Sequence, residues 1–207
     1  MGSSSLLDIL GSFFVAGILL LMGLRLNATA NEVKAVYSQN YVLQTNLTAV
    51  VGILENDFRK IGYCRNWRRV ADPSQSLRIT DSSRIRFRTD YNNDGSLDSV
   101  TYWIGPTSDL SDTPNPNDRI LYRQINADSL HAQRLNLGLT RFKFSFRDGE
   151  DSVINFPISD PRLVYYMTIE IAVSSPAPYA EQYSNDTSKY QVYWKQMRLV
   201  TKNLENR

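Results

Sequence analysis

Apolar residues in the first third of the chain recur at helical spacing, and those in the remainder recur at strand spacing. Ile9 to Leu24 reads ILGSFFVAGILLLMGL, sixteen residues without a charge, bounded by Asp8 and Arg25. The apolar positions then continue as Leu26, Ala30, Val33, Tyr37, Tyr41, Leu47, Val50, Leu54, Phe58 and Ile61. Gaps of mostly three and four, with no proline before Pro73, predict one helix of fifty or more residues. At its normal rise such a helix is roughly 80 Å long, far more than a small domain needs.

Beyond Tyr63 the period falls to two. Leu77 to Ile79 is a short strand candidate, and Arg84 to Arg88 alternates cleanly. Ser99 to Ile104 follows, with Asn-Asn-Asp-Gly between, so this pair predicts a β-hairpin. Gly105 to Arg119 is rich in Pro, Ser, Asp and Asn and reads as a loop. Ile120 to Ile125 is another strand. Phe142, Phe144 and Phe146 share one face of a further strand, opposite Arg141, Lys143, Ser145 and Arg147. Leu163 to Val173 places Leu163, Tyr165, Met167, Ile169, Ile171 and Val173 on one face, and Gln191 to Thr201 closes the series. The expectation is an α+β fold: a long N-terminal helix over residues 1–62, then an antiparallel sheet of six or so strands over 63–207 that packs on the helix's outer half.

Composition narrows the function. The chain has 207 residues, 21% charged and 42% apolar, which leaves about 150 residues after the helix for one domain with its own core. A net charge of +2 gives no whole-protein reason for a nucleic-acid partner. Residues 6–26 match the roughly 20 needed to cross a bilayer. No Lys or Arg precedes Asp8, and Leu24-Arg25-Leu26 follows the apolar run, unlike an ordinary secretory signal. The segment is therefore expected to anchor the chain in a membrane.

The order of elements and several short motifs resemble type IV pilins and type II secretion pseudopilins, in particular PilW-like minor pilins. Leu54 to Tyr63 (LENDFRKIGY) is similar to the family's segment near the end of the first helix. Asp90 to Gly95 followed by Val100-Thr-Tyr102, then Arg119 to Arg123, resembles its middle, and Leu137 to Phe146 its later Phe-x-Phe strand. The resemblance implies a subunit stored in the bacterial inner membrane with its head outside the cytoplasm, or carried in a filament with other pilin-like subunits. Phe13, Phe14, Leu20 and Leu21 would then pack helix on helix. It also implies a leader cut between Ser3 and Ser4, which makes Asp8 the fifth residue of the processed chain, the acidic position that meets a neighbour's amino terminus. The leader would be only Met-Gly-Ser, without a basic residue. The plainer alternative has Asp8 at the headgroup layer, capping the helix.

Two further patterns invite chemistry. Asp90, Asn92, Asp94, Gly95 and Asp98 fit the first half of an EF-hand-type loop, whose alternating oxygen ligands and sixth-position glycine wrap Ca²⁺. Thr101 stands where a bidentate Glu is usual. The preferred reading is a hairpin turn in which Asn93, Asp94 and Gly95 supply the unusual dihedrals, with calcium as the alternative. Arg65, Arg68 and Arg69 lie beside Tyr63 and Trp67, a pattern able to hold phosphates and stack bases. Cations also suit a helix C-terminus, and that reading is preferred, leaving nucleic acid the less favoured partner. His131 is the single histidine and Cys64 the single cysteine, with no nucleophile motif or phosphate-binding glycine loop. No enzymatic activity is expected, and Cys64 should pack at the helix end. The rival to filament assembly is a membrane-tethered module that binds polysaccharide, protein or DNA without polymerising.

Overall fold

The computed structural model describes residues 3–70, 72–126, 132–158, 160–176, 178 and 190–200. His131 lies outside these residues. One helix, α1, runs from Ser3 to Phe58. The helical period continues unbroken to Phe58, where Gly62, at φ 74°, allows the chain to turn and lets its N–H reach Arg88 O at 2.9 Å. The chain forms two compact units, Met1–Tyr41 and Val42–Arg207. The division falls inside α1, because burial of its apolar stripe begins only at Leu43.

In the second unit, Leu43, Val50, Leu54 and Phe58 are buried in one core with Ile85, Phe87, Val100, Tyr102, Leu121, Phe142, Phe144 and Phe146. Phe58 is central: its ring meets Tyr102 at 5.3 Å, Phe87 at 5.4 Å and Phe144 at 5.9 Å, each edge-on.

The sheet is antiparallel throughout. Its strands are β1 (Leu77–Asp81), β2 (Arg84–Thr89), β3 (Asp98–Ile104), β4 (Arg119–Ile125), β5 (Gln133–Arg147), β6 (Val153–Ile154), β7 (Tyr166–Ser174) and β8 (Val192–Val200). Their order is β1-β2-β3-β4-β5-β7-β8, with β6 paired to β5. Ser82 O, in the β1–β2 turn, accepts from Phe144 N at 2.7 Å and ties the first hairpin to β5.

Three sequence expectations are corrected. β5 begins at Gln133, before the Phe-x-Phe run, because its first half pairs with β4 and its second with β7. β6 is an addition to the expected strands, since two residues carry no periodic signal. β7 starts at Tyr166 rather than Leu163: Pro161–Leu163 is a 3-10 turn capped by Asp160, which takes Leu163 and Tyr165 out of phase with Met167. Leu163 and Tyr165 are exposed, and Val164 is buried instead.

On the face opposite the core, cross-strand register makes one row of four side chains. Arg84 pairs with Trp103, Trp103 with Tyr122, and Tyr122 with Arg134. The two rings stack at 5.0 Å, with guanidinium carbons 5.2 Å from Trp103 and 6.0 Å from Tyr122. Gly105 makes room beside this row, since a Cβ there would stand 2.7 Å from Tyr122 Cε2.

Candidate functional site

The first candidate region is the apolar part of α1. The helix is long and apolar enough to cross a membrane by length and composition. Residues 6–26 are all exposed, including the expected assembly residues Phe13, Phe14, Leu20 and Leu21. An exposed apolar surface of this extent needs lipid or another helix to cover it. Asp8 is exposed, and its carbonyl accepts from Ser12 Oγ at 2.8 Å. Counted from Ser3, the first described residue, the first turn of α1 holds no acidic residue, and Asp8 follows it. Ser3 and Ser4 open α1, while Met1 and Gly2 lie outside the described residues.

The second region, wholly within the Val42–Arg207 unit, is a buried polar cluster that joins α1 to the sheet. Tyr102 Oη donates to Asp57 Oδ2 at 2.6 Å, and Arg123 Nε donates to the same oxygen at 2.8 Å. Arg123 Nη2 also lies 2.8 Å from Asp57 Oδ2, and Nη1 donates to Gln133 Oε1 at 2.8 Å. The guanidinium carbon stands 5.0 Å from the centre of the Tyr91 ring. Asp57, Tyr102 and Arg123 are all buried. Burial, then the Asp57 hydrogen bond and charge, push the Tyr102 phenol well above its ordinary value. For Arg123, burial opposes the charge, but the Asp57 hydrogen bond and the Tyr102 and Tyr91 contacts outweigh it and hold the guanidinium charged. Sequence reasoning missed this cluster. Its signal was a polar residue on an apolar stripe: Asp57 falls three residues after Leu54, and Arg123 shares the core-facing parity of Leu121.

The third region brings together two sequence patterns read separately. Asp90 Oδ2 accepts from Arg65 N at 3.1 Å and Gly95 N at 2.9 Å. Arg65 Nη1 donates to Asn93 O at 3.3 Å, and Arg69 Nη1 donates to Ser96 Oγ at 3.0 Å. Arg65, Asn66, Trp67, Arg68, Arg69, Asp94 and Gly95 therefore line one open cleft of about 460 Å³. Arg68 places its guanidinium carbon 5.6 Å from the Trp67 ring, which is 73% exposed. Cys64 is buried, its thiol 3.7 Å from Gly95 O, in keeping with the expected packing role.

The loop itself is wound as an Asx-rich turn. Asn92 Oδ1 accepts from Asp94 N at 3.1 Å, and Asn92 Nδ2 donates to Asp94 Oδ2 at 2.9 Å. Asp98 accepts from Tyr91 N at 3.2 Å and from Asn126 Nδ2 at 2.9 Å. Asn93 and Gly95 take positive φ, 61° and 82°, as the turn reading expects, whereas Asp94, named with them, does not. The Asn92 and Ser96 hydrogen bonds hold the Asp94 carboxyl below its usual range. Among the described residues no three His, Cys, Asp or Glu side chains converge as a metal cage.

No curated protein and no solved structure matches the chain. A family model described as prepilin peptidase-dependent protein B matches residues 37–188, which runs from the amphipathic half of α1 through every strand as far as β7. With more than half its length in that match, the chain belongs to the prepilin peptidase-dependent protein B family, a type IV pilin-associated family.

Proposed function

We propose that the chain is a PilW-like minor pilin or pseudopilin, a structural subunit that acts by assembly rather than catalysis. One observation carries the reading: a single unbroken helix is apolar and uncovered over residues 6–26, yet part of a sheet core from Leu43 onward. The first segment holds the subunit in the inner membrane, with the sheet outside the cytoplasm, until neighbouring helices replace lipid. Lipid tails are as apolar as leucine, so close packing and a polar contact must supply the specificity. Asp8 supplies that contact, paired with the new amine of a neighbour cut between Ser3 and Ser4. The family's description as prepilin peptidase-dependent supports such a cut.

The test is crosslinking in native cells through a Leu20→Cys variant in a Cys64→Ser background, with intact mass of the purified chain. Assembly predicts crosslinked multimers, their loss in Asp8→Ala, and a chain that starts at Ser4. A membrane-bound chain that stays monomeric refutes the reading and favours the tethered binding module. If that module holds nucleic acid, affinity falls steeply with salt and with replacement of Arg65, Arg68 or Arg69.

A further inference from the structure

We propose that the Asp90–Asp98 loop is a calcium site, a property of the sheet unit that does not depend on filament assembly. Two independent observations meet there. The first is the ligand spacing: Asp90, Asn92, Asp94, the Ser96 carbonyl and Asp98 stand at positions one, three, five, seven and nine, with Gly95 at the sixth. The second is an orphaned acceptor. Asp90 is 0% exposed, and its Oδ1 has no hydrogen-bond partner among the described residues. A buried carboxylate oxygen left unpaired is costly, which points to a cation that completes it.

Asp90 Oδ2 is taken by Gly95 N at the sixth position and by Arg65 N, which leaves Oδ1, on the same carbon, as the oxygen open to an ion. The loop is already wound for the ion. Gly95 N meets the first ligand, Asp94 N the third and Ser96 N the fifth, so each side chain is held by a backbone N–H and keeps further lone pairs. The donor set is mixed, with an amide and a carbonyl among the carboxylates, which suits a hard cation that takes six to eight oxygens. Asp90, Asp94 and Asp98 do not converge as a three-acid cage among the described residues, so binding requires their side chains to draw together. The Asn92–Asp94 side-chain bond is the contact that a bound ion replaces.

Two features make the site weak. Thr101 replaces the bidentate acid at the twelfth position, and Arg65 and Arg69 touch the loop's rim. The expected dissociation constant is that of extracellular calcium modules, on the order of 10⁻⁴–10⁻³ M.

The experiment is a calcium titration of the full chain in detergent micelles, followed by calorimetry and by terbium luminescence sensitised through Tyr91. Wild type should bind one ion, with magnesium a poor competitor because it demands a tighter octahedral site. Asp94→Asn keeps an oxygen for Ser96 N and so preserves the turn, but should weaken binding about tenfold or more as a ligand charge is lost. Asp90→Asn should weaken it further, and circular dichroism confirms that each variant is folded. Absence of saturable binding up to about 10 mM, an order above the expected constant, overturns the proposal. Equal binding by wild type and folded Asp94→Asn also overturns it, because the ion then sits elsewhere.

Discussion

Asp57→Ala is the most informative single substitution in the sheet unit. It removes the acceptor shared by Tyr102 Oη and Arg123 Nε and leaves a guanidinium with only 7% side-chain exposure without its countercharge. Removing one partner of a buried pair typically costs about 3–5 kcal/mol, because the remaining charge stays desolvated. Gln133 and the Tyr91 ring still touch Arg123, which keeps the loss within that range. For a unit of this size, that corresponds to a fall in melting temperature of about 6–20 °C. The double variant Asp57→Ala/Arg123→Met carries no buried charge and should recover part of the loss. A cycle of the two singles and the double therefore yields a coupling energy of about 2 kcal/mol or more. Urea unfolding of the full chain in micelles, followed by near-ultraviolet circular dichroism, measures each corner. If Asp57→Ala lies within about 1 kcal/mol of wild type, or the losses simply add, the cluster does not hold α1 to the sheet.

Phe58→Ala should cost about 3–5 kcal/mol in the same unfolding assay, since it empties the centre of the aromatic cluster. Gly138→Ala should cost about 2–4 kcal/mol: its φ is 66°, and a Cβ there would stand 2.9 Å from the Ser174 carbonyl, a backbone atom that cannot swing aside. Asp118 supplies the pH test. Burial, only partly offset by a Thr113 hydrogen bond, raises its carboxyl pKa, so the folded chain binds this proton more tightly than the unfolded chain. Its contribution to stability is therefore greatest in acid and is lost as pH rises through the raised value. Asp118→Asn should have a higher urea midpoint than wild type at neutral pH, and that advantage should vanish below the ordinary aspartate range.

Periodicity alone settled the broad plan. A run of mostly threes and fours from Leu26 to Ile61 had no breaker, so α1 could be read to within a few residues of its observed end at Phe58. The hairpin from β2 to β3 was equally legible, because strict alternation and Asn-Asn-Asp-Gly are local signals. The oily stretch, its Asp8 and the aspartate-rich loop were visible for the same reason: each is a pattern of neighbours along the chain. Pairing across the sheet was not legible. β5 exchanges β4 for β7 near Leu139, and a strand's sequence does not record which strand lies beside it. Nor could sequence show that Arg65 and Arg69 touch the 90–98 loop, or that Asp57 finds Arg123 sixty-six residues away. Local sequence fixes periodicity, turns and the oily segment because these depend on dihedral preferences and on which face is apolar. Only the folded chain decides which buried polar groups meet, because those meetings depend on register and packing between distant segments.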